Sequence, residues 1–224
     1  MDELSRGIFR WTAPHPEWRT RIDWGHEVAS FALVAADALV LIDPQLPAAG
    51  SAALAPLLAE LDQLAGSARR LEIMITVPYH ARSAEPLHER YSAKLASRIW
   101  AHPATAKRFA HQTPFTRIEP GVPVGRLARA FAIGNPRRHE TPLYFADHKA
   151  LAFGDTVIGI EGTLRVWQEG PASPVWYRDR LLPTLRPLLD LDVERVLVTH
   201  GPAVAEGGHQ KLQAALAAPP WDCR

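Results

Sequence analysis

Cysteine is almost absent: Cys223 stands alone among 224 residues. A lone cysteine excludes an internal disulfide framework and any cysteine-rich zinc or iron–sulfur site. An excess of either charge is also missing. Twenty-five Lys and Arg against 24 Asp and Glu leave a formal net charge of +1. That balance offers no surface for tracking nucleic acid or an anionic membrane. The longest apolar stretch, Val28 to Ile42, is broken by Ser30 and Asp37 and falls short of a membrane span. The N-terminus, Met1-Asp2-Glu3-Leu4-Ser5-Arg6, is charged and lacks an apolar leader segment. Neither a long Gly/Ser linker nor a short-period repeat divides the chain. These absences lead to the expectation of one soluble, cytoplasmic domain over residues 1–224, with the oligomeric state left open.

What is present is a globular composition, 47% hydrophobic and 22% charged, with ten histidines. The length suits an α/β fold with a full core. Short strands are expected at 7–12, Glu27 to Ala35 and Ala38 to Ile42. The last is a continuous apolar run of the kind buried on both faces, and it ends at Asp43-Pro44. Helix is expected from about Ala49 to Leu64. A strand at Leu71 to Val77 follows, then a helix from Ser83, a candidate N-cap, to Tyr91. The strand Ser97 to Ala101 precedes a helix opened by Pro103. Further on, Val124 to Ile133 alternates, and Thr141–Phe145 and Ala150–Phe153 read as a hairpin. Val175 to Leu189 reads as a helix kinked at Pro183. A strand at Glu194 to Val198 and a helix at about Ala203 to Ala217 complete the chain.

Four strand ends carry polar residues: Asp43, then Tyr79-His80-Ala81-Arg82, then Asp155, then His200. In an open α/β arrangement ligands bind beyond such ends, so the four together suggest one site. Each residue also has a plainer role open to it. Asp43 before proline suits a loop-amide acceptor. Asp155 after Gly154 suits a turn, and His200 before Gly201-Pro202 suits a helix entry.

Leu41-Ile42-Asp43-Pro44, Ile75-Thr76 and its loop, Phe153-Gly154-Asp155 and Val198-Thr199-His200-Gly201 together resemble the metallo-β-lactamase fold superfamily, over about residues 27 to 205. The resemblance implies a four-layer αβ/βα sandwich with a metal site at its edge. In that family the first Asp is structural, and a Thr-His-x-His-x-Asp-His loop supplies most ligands. A later His, the Asp of a Gly-Asp pair and a last His before Gly complete two metal sites. This chain departs from the pattern in the loop. Thr76 matches, but Val77, Tyr79, Ala81 and Arg82 occupy the ligand positions, and His80 falls on a non-ligand one. Asp155 and His200 match the bridging Asp and the last His. His139 is the candidate for the remaining His.

A catalytic zinc needs about three protein ligands and an open position. Arg82, whose charge cannot be titrated away, is repelled by a divalent cation. The favoured reading is therefore a degenerate site without a resident metal, in which Arg82 stands in for the lost charge and pairs with Asp155. The site residues are Asp155, His200, Arg82, His80 and Tyr79 for acid–base work or binding. Trp24, Trp167 and His139 are candidates for walling a substrate pocket, with core packing as the plainer role for a tryptophan. The function expected is small-molecule binding or weak metal-independent hydrolysis. One alternative is a hydrolase with one zinc or other divalent ion held by His80, His139, Asp155 and His200. Another is a non-catalytic interaction protein.

Overall fold

The computed structural model describes residues 1–15, 17–18, 25–111, 113–134, 139–168 and 174–222. The chain divides into two compact units. One comprises Met1–Pro16 and Glu27–Ile118, the other Glu17–His26 and Glu119–Arg224.

The first unit is built on a seven-stranded sheet in chain order, from β1 (Asp2–Ser5), β2 (Ile8–Pro14), β3 (Glu27–Ala35) and β4 (Ala38–Ile42) to β5 (Arg70–Met74), β6 (Ala96–Ala101) and β7 (Thr116–Arg117). Pairing is antiparallel through β4 and parallel beyond it. The switch follows from the connections, since parallel neighbours need a crossover. Two helices supply the longer ones: α1 (Leu54–Ala65) links β4 to β5, and α2 (Ala84–Ser92) links β5 to β6. Every residue of β4 is buried, as its unbroken apolar sequence requires. Helix α1 buries Leu57, Leu61 and Ala65, and α2 buries Ala84, Leu87 and Tyr91, one stripe each at helical spacing. Both stripes join Leu39, Leu41, Leu71, Ile73 and Ile99 in one core cluster.

The second unit carries two smaller sheets. The order in the first is β14 (Arg195–Val198), β11 (Ala150–Phe153), β10 (Leu143–Phe145), β9 (Ala128–Ala130) and β8 (Pro123–Val124). The other contains β12 (Val157–Ile160), β13 (Thr163–Gln168) and β15 (Trp221–Asp222). A helical stretch over 174–190 and the helix Gly208–Ala217 cover this unit's core, where Leu181, Leu185, Leu212 and Ala215 meet Leu151, Phe153, Val166 and Val196.

The elements differ from the sequence reading in instructive places. The 174–190 stretch holds a π-helical turn at Tyr177–Leu181 and a 3-10 turn at Arg186–Asp190. Pro183 and Pro187 donate no backbone hydrogen bond, so the helix widens and tightens around them instead of simply kinking. Strand β1 and the hairpin β12–β13 carry no clear signal in the sequence. Ser83 stands at the start of α2 but makes no side-chain cap. Its hydroxyl accepts the Leu46 N–H at 2.9 Å instead. No helix among the described residues is long and apolar enough to cross a membrane.

Candidate functional site

In the first unit the chemistry gathers beyond the ends of β4 and β5. These strands are parallel with Ile42 opposite Met74, so the residues that follow each emerge side by side. Asp43, the first residue past β4, is 1% exposed. Its Oδ1 accepts the Thr76 N–H at 2.8 Å, and its Oδ2 accepts the Thr76 hydroxyl at 2.5 Å and His80 Nδ1–H at 2.9 Å. A buried carboxylate is tolerable only when its lone pairs are so occupied. The Asp43 backbone lies at φ +46°, and two contacts hold it there. Its carbonyl accepts the Ser30 hydroxyl at 2.9 Å, and the Gln45 N–H returns to Ser30 Oγ at 2.8 Å.

His80 is 3% exposed, a buried ring on the turn that follows β5. The Asp43 carboxylate offsets the cost of burying the ring's polar edge. A ring that gives its Nδ1 proton to a carboxylate carries the lone pair on Nε2, the tautomer suited to a base or a ligand. Tyr79 is 45% exposed, with Arg108 stacked 5.5 Å from its ring centre. Arg82 follows the turn at φ +34°, ψ −113°, and its Nη1 lies 3.4 Å from the Asp43 carbonyl. Such a backbone costs a non-glycine residue about 1–3 kcal/mol and persists where the surroundings enforce it.

The second unit repeats the arrangement. Strands β11 and β14 are parallel with Phe153 opposite Val198. Asp155 and His200 each lie two residues past this pair, and His200 Nε2 meets Asp155 Oδ1 at 3.1 Å, both residues buried. A close backbone crossing fixes His200. The Gly159 N–H donates to the His200 carbonyl at 2.8 Å. A Cβ on Gly201, at φ +79°, would lie 1.8 Å from the Gly159 carbonyl oxygen. No other residue fits at position 201.

Two carboxylate roles escape the sequence reading. Sequence marks Asp43 as a strand-end residue with loop amides as its plainer partners, but the His80 partnership has no sequence signal because 37 residues separate the two. Glu140, 2% exposed, binds Gly154 and Thr156 and lies beside the candidate His139. His139 itself is exposed at φ +49°. Trp167 is 7% exposed within β13, and its backbone N–H donates to the Thr156 carbonyl at 2.9 Å. Trp24 lies outside the described residues.

No protein-family model and no curated protein matches the sequence. Solved structures do match. A metallo-beta-lactamase family protein from Thermus thermophilus is 16% identical with a TM-score of 0.58, over 96% of this chain and 79% of its own. A metallo-beta-lactamase from Erythrobacter litoralis is 13% identical with a TM-score of 0.62, over 96% and 93%. A protein solved in a di-iron-bound form is 20% identical with a TM-score of 0.56, over 84% and 92%.

Proposed function

On a chain with the metallo-β-lactamase fold, we propose a small-molecule site that binds, and slowly hydrolyses, an ester, lactone or phosphodiester without a two-metal centre. The observation that carries this reading is the buried Asp43–His80 pair. Asp43 holds the imidazole in one orientation and one tautomer, so His80 Nε2 serves as a general base on water. Asp43 also stabilises the imidazolium formed when the proton arrives. Arg82 supplies a fixed positive charge to stabilise an oxyanion. Tyr79 contacts substrate from the exposed loop. The Asp155–His200 pair is a second place to hold a proton.

The chemistry of the ligand loop argues against two metals. Val77 and Ala81 are buried hydrocarbon, Arg82 is a cation and Tyr79 is a neutral phenol. A second reading keeps one divalent cation. Asp155 and His200 of the second unit are buried, and each offers a ligand atom of a type that could hold such an ion. An imidazole and a carboxylate suit zinc or iron, which would act as a Lewis acid on bound water.

The deciding experiment combines metal analysis of the purified protein with turnover on ester, lactone and phosphodiester substrates, with and without chelator. The proposal expects slow turnover that chelator leaves unchanged and that His80→Ala lowers about 100-fold or more. One metal per chain, lost in His200→Ala together with activity, would establish the second reading. Absence of both turnover and metal would leave binding or an interaction role.

A further inference from the structure

Glu140 is a buried acid with three hydrogen bonds to one turn. Its Oε1 accepts the Gly154 N–H at 3.0 Å. Its Oε2 accepts the Thr156 N–H at 2.9 Å and the Thr156 hydroxyl at 2.6 Å. The residue between these contacts is Asp155, so one carboxylate grips the backbone on both sides of it. The first unit uses the same grip, where Asp43 takes both the N–H and the hydroxyl of Thr76. There the acid also binds a histidine. Here the gripped turn delivers a second acid to a histidine, through the contact of Asp155 with His200.

We infer that Glu140 is the positioning residue of the Asp155–His200 pair. Its ionised carboxylate fixes the turn 154–156 so that Asp155 Oδ1 faces His200 Nε2. The grip needs an acceptor on both arms, because the three groups of the turn that reach it are donors. An amide of the same shape satisfies one arm and places an N–H against an N–H on the other. The turn must then rotate, and Asp155, at its centre, turns with it. The kinetic consequence rests on the hydrolytic reading above, but the geometric claim does not.

The test is the imidazole spectrum of ¹⁵N-labelled protein. The His200 ring signals are assigned by their loss in His200→Gln. In the parent protein His200 is expected to carry its proton on Nε2. Glu140→Gln is expected to shift or abolish that Nε2–H signal while the amide spectrum stays that of the folded chain. Thr156→Val, which removes only the hydroxyl bond, is expected to shift it less and in the same direction. It also carries the test if Glu140→Gln does not fold. His200 signals that match the parent in every variant that folds would overturn the inference. This measurement needs no substrate, so its result is distinguishable from any failure of the proposed hydrolysis. Where turnover is found, it should fall in the same order of variants.

Discussion

Asp43 and Gly201 show how much single positions decide here. Replacing Asp43 by Asn keeps the size but puts an amide N–H against one of three donors. The expected result is a loss of about 1–3 kcal/mol of stability, measured by urea unfolding, together with release of His80 from its fixed tautomer. Gly201→Ala should cost more, because its methyl would meet the Gly159 carbonyl oxygen at 1.8 Å and flexible side chains are not involved. The crossing that holds His200 has to open. A Gly201→Ala variant that unfolds at the same urea concentration as the parent would show that the crossing has room to spare. Neither position announces its weight in the sequence. Asp-Pro and Gly-Pro are ordinary turn pairs, and only the partner brought by the fold makes them critical.

At the scale of elements, legibility depends on whether the local signal agrees with the local structure. Strands β3 and β4 are readable to their ends, because β-branched and apolar runs meet a tight turn at Ala36-Asp37. The β12–β13 hairpin is hidden for a converse reason. Its two turn residues, Glu161 and Gly162, lie at φ +49° and +78°, a turn that favours Asn-Gly or Asp-Gly. Glutamate carries no such signal. Glu161→Asn should therefore raise stability by up to about 1 kcal/mol, visible as a higher unfolding midpoint. Helices α1 and α2 are tied by Asp62, whose carboxylate takes Arg90 at 2.6 Å and the Tyr91 hydroxyl at 2.8 Å. The Arg90 hydrogen bond is the foremost cause holding Asp62 below its usual range. Burial first, and then Asp62, pushes Tyr91 up to about 12. A phenol raised in the folded state contributes stability that is full below its unfolded value, about 10, and is lost as pH rises through the folded one. Stability should thus decline between about pH 10 and 12. Tyr91→Phe should flatten that slope in urea titrations at each pH.

For the whole molecule, each unit carries its own apolar cluster, with Leu61 in one and Leu181 in the other, both 0% exposed. Leu61→Ala and Leu181→Ala should each cost about 2–5 kcal/mol. A loss below about 1 kcal/mol for either, by chemical denaturation, would mean that its cluster collapses around the gap. The fold class is legible because order survives divergence. Asp43, Thr76, Gly154-Asp155 and His200-Gly201 follow strand ends in the order the fold's motifs lead one to expect, and solved structures of that fold match this chain at 12–20% identity. The site is legible only in part. His80 and His200 stand out as strand-end residues, but their carboxylate partners lie 37 and 45 residues away, and Glu140 lies 16 residues from Thr156.

Local sequence is enough to set the α/β class and the strand ends that bear the chemistry. Periodicity, turn residues and side-chain type carry these properties. Packing in three dimensions decides that Asp43 holds His80 and that Glu140 grips the turn of Asp155. The first depends on the parallel register of Ile42 on Met74, the second on the antiparallel register of Leu143 on Ala152. Register is a long-range choice made by packing whole strands, and no short stretch of sequence encodes it.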